Sequence, residues 1–368
     1  MRIACIIASL RLGGAERQLA GLAVVLKEAG HDVEVVSYRE GDFYSPVLDD
    51  AGVPHTRISA EGGDFKTVRR IAAHLIETRC ELLISFLAGT NIKACMVKRR
   101  CPGLRLIVSE RNCNRSLLPH DIYRFLLYRR AGTVVCNSYS QEAFISRRFP
   151  LLRSRLRTIP NFVDTVYFSP SVQTPQPNLD VQDRKEPEEI SVIKILVTAR
   201  LDKRKNALGL IQAAADCGCG NLRFDWYGAG KDDAYKRQCL DLIDKCGLGT
   251  RFFIHNAVED VRSLYRRADY FCLPSFYEGT PNSLAEALSC ALPAAVSDVS
   301  DNARYVEDGA NGFLFNPRDV STIASALRKI SLTTASQRSE SGRISRQKAL
   351  DSFKKNIFAE KYLKLIGE

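Results

Sequence analysis

Three stretches of this chain hold residues whose types and spacing suit the binding of phosphate and hydroxyl groups. The first, Thr198-Ala199-Arg200-Leu201-Asp202-Lys203-Arg204-Lys205-Asn206, sets four cations within six residues. Arg200 can fork two oxygens of a diphosphate and Lys205 can add a point charge. An exposed basic turn would have the same composition. The second stretch, Pro274 to Ala287, holds Glu278 and Glu286 eight positions apart, with Gly279, Thr280 and Pro281 leading to Asn282 and Ser283. Its carboxylates can grip hydroxyls, and the amides of Asn282 and Ser283 at a helix start can receive phosphate oxygens. Two carboxylates so spaced also suit acid and base work on a glycosidic bond, or a purely structural role. The third stretch is Leu12-Gly13-Gly14-Ala15-Glu16. Gly13 and Gly14 let backbone amides approach an anion at the following helix, or serve only the turn. The pair is neither a G-x-G-x-x-G dinucleotide fingerprint nor a Walker loop.

Loops of this kind follow strands, and the surrounding pattern supplies them. Short β-branched runs alternate with helical patterns, as in βαβ units with a parallel sheet. Strands read over Arg2 to Ala8, Asp32 to Ser37, Leu82 to Phe86, Leu106 to Ser109 and Thr133 to Asn137, with a helix over Ala15 to Ala29. Ser169 to Glu189 is rich in proline and charge and nearly free of large apolar residues, so it reads as an exposed connector. The alternation then restarts with strand Val192 to Thr198, helix Ala207 to Asp216, strand Leu222 to Tyr227, helix Asp232 to Cys246, and strands Arg251 to Ile254 and Tyr270 to Leu273. Ser331 to Gly342 is polar and poorly patterned. Phe353 to Ile366 spaces Phe353, Ile357, Phe358, Tyr362, Leu363, Leu365 and Ile366 as a terminal amphipathic helix. The expected class is α/β, with a doubly wound Rossmann-like domain over 1–168, a linker over 169–190, a second such domain over 191–350 and a terminal helix over 351–368. In such sheets ligands bind at the carboxyl ends of strands, and two such domains imply a cleft.

Composition narrows the classes. A chain of 368 residues, 45% hydrophobic and 26% charged, can bury two cores, which excludes disorder, collagen and small disulfide scaffolds. No apolar run reaches the roughly 18–20 residues that a membrane-spanning helix needs, and Ile3 to Leu10 reads as a buried strand rather than a secretion signal. The 12 cysteines are scattered without C-x-x-C pairs, so no zinc or other metal site and no disulfide framework is expected. The net charge of +11 is uneven: residues 1–165 carry 25 Lys and Arg against 16 Asp and Glu, the remainder 28 against 26. Tyr123 to Arg130 interleaves Phe125, Leu126, Leu127 and Tyr128 with three arginines, a pattern expected to meet an anionic membrane surface. A solvated basic face is the alternative. Nucleic acid is not an expected partner.

Taken together the three loops resemble the retaining glycosyltransferase family 4, and the resemblance spans essentially the whole chain. Glu278, seven residues and Glu286, followed by Ala287-Leu288-Ser289-Cys290-Ala291-Leu292-Pro293, is similar to that family's E-x7-E signature with its trailing E-A-x-x-C-G-x-P. Arg200 and Lys205 match its R-L-x-x-x-K pair. Ala199 and Ala291 stand where the family has glycine, and Ser109-Glu110-Arg111-Asn112 stands where many members carry a histidine.

The resemblance implies a GT-B fold, two Rossmann-like domains facing a cleft, with the terminal helix crossing back to brace the first. It implies that Arg200 and Lys205 hold the donor pyrophosphate, Gly13 and Gly14 face the same group, Glu286 takes the ribose hydroxyls and Glu278 the transferred sugar. Arg200, Lys205 and Glu278 would carry catalysis, Gly279, Thr280, Pro281, Asn282 and Ser283 would line the donor, and His255 would lie near the base. Glu110, Arg111 and His120 are the acceptor-side candidates, against a loop ion pair and a surface histidine. The implied reaction moves a hexose or N-acetylhexosamine, with retention, from a UDP-sugar to a lipid-linked or saccharide acceptor in surface glycan assembly. It needs no metal and no cofactor beyond the nucleotide-sugar itself. The expected place of work is cytoplasmic, peripherally at the inner face of the membrane. Two rivals stand beside it: a glycoside hydrolase or phosphorylase using Glu278 and Glu286, and an inactive basic module for lipid or nucleic acid.

Overall fold

The computed structural model describes residues 1–111, 118–171, 192–230 and 232–367, and most of the expected linker lies outside these residues. Alternation along buried strands decides the layers. In Arg2–Ile6 (β1), Ile3 and Cys5 enter one core while Ala4 and Ile6 enter another on the opposite face, as a side-chain period of two requires. Six further strands join β1: Asp32–Ser37 (β2), His55–Arg57 (β3), Leu82–Phe86 (β4), Arg105–Glu110 (β5), Thr133–Cys136 (β6) and Leu156–Thr158 (β7). They form a parallel sheet in the order β3-β2-β1-β4-β5-β6-β7. Its helices are Gly14–Glu28 (α1), Ser45–Asp50 (α2), Asp64–Glu77 (α3), Ala88–Arg100 (α4), Pro119–Leu127 (α5) and Tyr139–Arg148 (α6). This unit comprises Met1–Phe162 and Asn356–Glu368.

The second unit is Val163–Lys355. Ile193–Thr198 (β8), Leu222–Tyr227 (β9), Phe252–His255 (β10), Tyr270–Leu273 (β11), Ala294–Ser297 (β12) and Gly312–Phe315 (β13) make a parallel sheet in the order β10-β9-β8-β11-β12-β13. Ala207–Asp216 (α7), Asp233–Lys245 (α8), Arg262–Arg267 (α9), Asn282–Ser289 (α10), Asn302–Tyr305 (α11), Val320–Ser331 (α12) and Ala335–Ser352 (α13) complete it. Ile193, Ile195 and Val197 of β8 share one core with α7 and α12, whereas Leu196 packs on the other side with α10.

Three boundaries differ from the sequence reading. The segment Val163 to Phe168 belongs to the second unit rather than the first, because Val163 and Phe168 are buried in its core and the Val163 amide donates to Phe353 O at 2.9 Å. The polar stretch after Ser331 contains the helix α13, capped by Thr334 with Gln337 in a reciprocal capping box. Its apolar stripe is invisible because the buried positions are the small residues Gly342, Ser345 and Ala349. A Cβ on Gly342 would stand 2.3 Å from Ala291 O, so glycine is what lets this helix approach. Finally, Phe353 is not part of the terminal helix but lies in the second core, and Lys355–Gly367 (α14) begins after it. Phe358, Tyr362, Leu365 and Ile366 of α14 complete the core of the first unit beside β1 and β4, and Arg105 donates to the C-terminal carbonyls of Leu365 and Ile366.

Candidate active site

The order of the second sheet reverses between β8 and β11, and a doubly wound sheet offers its ligand crevice at such a reversal. The loops that follow these two strands are the two charged stretches of the sequence. After β8 the chain makes a 3-10 turn over Lys203–Lys205 and enters α7 through Asn206, which is left-handed at φ 58°; asparagine tolerates that backbone better than most residues. The Asp202 carboxylate accepts the Lys205 amide at 3.2 Å, and Asn206 Nδ2 donates to Pro317 O at 2.9 Å. The loop rests on the end of β9. Trp226 Nε1 donates to Ala199 O at 2.9 Å, and a Cβ on Gly228 would stand 1.9 Å from that same oxygen. Gly230 is crowded by Leu201 O in the same way. Gly228 and Gly230 therefore position the loop after β8, which sequence reasoning missed, although two glycines directly after a strand were a legible signal.

The loop after β11 is stitched to the first by the Phe276 amide, which donates to Arg204 O at 2.9 Å. Lys205 Nζ donates to Glu278 Oε1, with the two side chains 12% and 11% exposed. The Glu278 amide is held by Ser300 Oγ at 3.2 Å. Thr280 and Pro281 are buried, Gly279, Asn282 and Ser283 are half-buried, and Pro281 leads into α10. Ala291, the alanine in a family glycine position, is left-handed at φ 59°. Arg200 is not drawn into this pair: its side chain is 67% exposed and its guanidinium lies 3.7 Å from Asp202 Oδ2.

Glu286 is buried on α10, and its Oε2 accepts the Tyr265 hydroxyl at 2.9 Å. Thr198 Oγ1 stands 2.6 Å from the same hydroxyl, so Tyr265 ties the carboxylate to the end of β8. Burial, reinforced by the charge of Glu286, pushes the Tyr265 pKa well above the ordinary phenol value and keeps it a donor. Tyr265 carries no motif and could not be found from the sequence. His255 closes β10, with Nε2 2.8 Å from Asp225 Oδ1 and its ring stacked on Tyr227 at 4.3 Å. Burial works to raise the Asp225 pKa, but hydrogen bonds from Arg223 and His255 outweigh it and hold the carboxyl below the usual range.

The first unit handles its candidates differently. Gly13 caps α1 in extended backbone, and a Cβ there would stand 2.2 Å from Glu16 Oε2, so the helix's own buried acid lies over the glycine turn. Gly14 is the first residue of α1. Glu110, at the end of β5, has no exposed surface; its Oε2 accepts the Tyr128 hydroxyl at 3.0 Å and lies 3.5 Å from Arg124 Nε. Arg124 in turn meets Asp121 at 2.9 Å. Arg111 lies 4.0 Å over the Phe86 ring and donates to Asn161 Oδ1 and the Tyr362 hydroxyl. Burial lowers its pKa. His120 is instead exposed, 3.6 Å from Asp121. Asn112 lies outside the described residues.

The basic aromatic patch needs correcting as well. Arg124, Phe125, Leu127 and Tyr128 point inward, because at 3.6 residues per turn a continuous run cannot share one face. Leu118, Ile122, Tyr123 and Leu126 are the exposed apolar residues of this helix, next to exposed Arg129 and Arg130. Among the described residues no helix is long and apolar enough to cross a membrane.

Known proteins share this layout. The family model for glycosyl transferases group 1 matches residues 180–348, and that for Glycosyltransferase Family 4 matches residues 12–167. A Campylobacter jejuni enzyme, GalNAc-alpha-(1->4)-GalNAc-alpha-(1->3)-diNAcBac-PP-undecaprenol alpha-1,4-N-acetyl-D-galactosaminyltransferase, is 29% identical across 100% of this chain and 99% of its own. The Escherichia coli UDP-Gal:alpha-D-GlcNAc-diphosphoundecaprenol alpha-1,3-galactosyltransferase is 25% identical over 48% of this chain and 45% of its own. The Anabaena protein HepE, solved in complex with UDP, superposes with a TM-score of 0.84 at 16% identity, covering 100% of both chains, which speaks for the fold alone. The hydrolase and binding-module readings give way to these matches. With its two parallel-sheet units and the E-x7-E loop after β11, the chain belongs to glycosyltransferase family 4 and has the GT-B fold.

Proposed function

We propose that this glycosyltransferase passes a hexose or N-acetylhexosamine, with retention, from a UDP-sugar to a saccharide carried on a polyprenyl diphosphate. The observation that carries the reading is the Lys205–Glu278 pair beside the start of α10, at the reversal point of the second sheet. As the bond from the sugar to the β-phosphate breaks, negative charge grows on the diphosphate. Lys205, Arg200 turned from Asp202, and the amides of Asn282 and Ser283 are the groups that stabilise it. The leaving phosphate oxygen takes the proton of the acceptor hydroxyl on the same face of the sugar, so no protein nucleophile is required. Glu286, fixed by Tyr265, receives the ribose hydroxyls, Glu278 those of the transferred sugar, and His255 lies on the base side.

The substrates named for the two bacterial relatives support the lipid-linked acceptor, and the UDP-Gal named for the Escherichia coli one supports the donor. Arg200 and Lys205 supply charge that a divalent cation would otherwise bring, so turnover should persist in EDTA. Leu118, Ile122, Tyr123 and Leu126, flanked by Arg129 and Arg130, form the face that would rest on an anionic bilayer at the cytoplasmic side. The direct test is thermal stabilisation by a panel of UDP-, GDP- and ADP-sugars, followed by NMR of the anomeric proton in the product. Stabilisation by GDP- or ADP-sugars alone would overturn the donor, and an inverted anomer would overturn retention.

A further inference from the structure

The contact between Lys205 and Glu278 has a consequence for the choice between substrate and product. The two residues come from loops 73 positions apart, and each is held in place from its own side. Asp202 fixes the backbone of Lys205, and Ser300 fixes the backbone of Glu278. Both side chains are about nine-tenths buried, so water screens their attraction little. A diphosphate that takes Lys205 must therefore displace a carboxylate from it, and that carboxylate must then find another partner or stand beside the incoming anion.

We propose that Glu278 is a specificity residue that competes for Lys205 and so favours the sugar-bearing nucleotide over the bare nucleoside diphosphate. This rests on the donor reading given above and deepens it. A nucleotide-sugar brings hydroxyls that the displaced carboxylate accepts, and its diphosphate, esterified at both ends, carries less charge than a terminal one. A bare nucleoside diphosphate brings no hydroxyl to that position and adds the charge of its terminal phosphate, so Glu278 returns to Lys205 and the product leaves. The carboxylate thus has opposite effects on the two ligands: it aids the donor through the sugar and opposes the product through the cation.

Calorimetric titration of the full chain with UDP, GDP and ADP, in the wild type and in Glu278→Gln, tests this with no sugar present. The best-bound diphosphate is carried forward. Glu278→Gln is expected to bind it about tenfold more tightly, the scale of releasing one close competing charge, while its preference for the matching nucleotide-sugar over the diphosphate shrinks. In a Lys205→Gln background the same change should bring no gain, because the contested cation is gone. Diphosphate binding by Glu278→Gln that equals or falls below the wild type, with an unchanged melting curve, overturns the competition and leaves the donor reading standing. Failure of all three diphosphates to bind either the wild type or Glu278→Gln overturns both. If Glu278→Gln does not fold, Glu278→Ala titrated the same way, or Lys205→Gln compared for diphosphate against nucleotide-sugar, gives the decision: loss of Lys205 must then cost the diphosphate less than removing an uncontested cation would, about tenfold rather than several hundredfold.

Discussion

Each unit buries a glutamate near the carboxyl edge of its sheet, and each asks a tyrosine hydroxyl to hold it. Glu110 receives Tyr128 at 3.0 Å, and Glu286 receives Tyr265 at 2.9 Å. The surroundings part company from there. Glu110 sits at 0% exposure beside Arg124, which is itself 4% exposed and paired with Asp121. Three ionic side chains, Glu110, Arg124 and Asp121, are thus buried side by side. Glu286 stands on α10, where it accepts the Tyr265 hydroxyl that also meets Thr198, in the same segment as the half-buried Asn282 and Ser283. A buried carboxylate alone thus says little; what distinguishes the two acids is the place each holds, beside the buried Arg124–Asp121 pair or on the helix after the reversal point of the second sheet.

The contrast can be broken most sharply at Arg124. Arg124→Leu removes the buried cation beside Glu110 and Asp121 and should cost about 3–5 kcal/mol in urea unfolding. A loss below about 1 kcal/mol would mean that Arg124 does not hold these carboxylates in place. At the other acid pair, Lys205→Ala should lower kcat by about 10²–10³ in protein that still folds, as expected for one lost charge stabiliser. Tyr265→Phe removes the strut under Glu286. The donor kcat/KM should fall about tenfold through KM, and a donor lacking the ribose hydroxyls should show no such loss. Equal losses with both donors would make Tyr265 a packing residue only.

Charge reversal at both Arg129 and Arg130 should lower partition onto anionic vesicles by about tenfold or more without changing donor hydrolysis. The smallest effect concerns Asp225. Its folded pKa lies below the unfolded value, so its contribution to stability is present above the usual carboxylate range and is lost as pH falls through that lower value. Asp225→Asn should flatten the acid side of the stability curve below about pH 4, and an unchanged acid slope would show that the Arg223 and His255 contacts contribute nothing.

Much of the fold was readable because its cause is local and periodic. Asp32–Ser37, Leu82–Phe86, Ala207–Asp216, Leu222–Tyr227 and Tyr270–Leu273 have the bounds that apolar spacing predicts. The charged loops also read correctly as loops, since each follows such a strand. The helix α13 did not read, because its contact with the rest of the unit is made through Gly342, Ser345 and Ala349, and small residues leave no hydrophobic period. Phe353 misled for the opposite reason: a large apolar residue at helical spacing from Ile357 belongs to a different core from the helix that follows it.

The sequence by itself determined the two sheets, the placing of Arg200, Lys205, Glu278 and Glu286 after strands, and the family to which that pattern points. Only the tertiary structure decided that Lys205 spends its charge on Glu278, that Tyr265 stands under Glu286, and that Glu110 and Arg111 turn inward. The reason is physical: which charge pairs with which depends on burial and on distances between segments far apart in the chain, and a linear pattern encodes neither until the sheets have set their order.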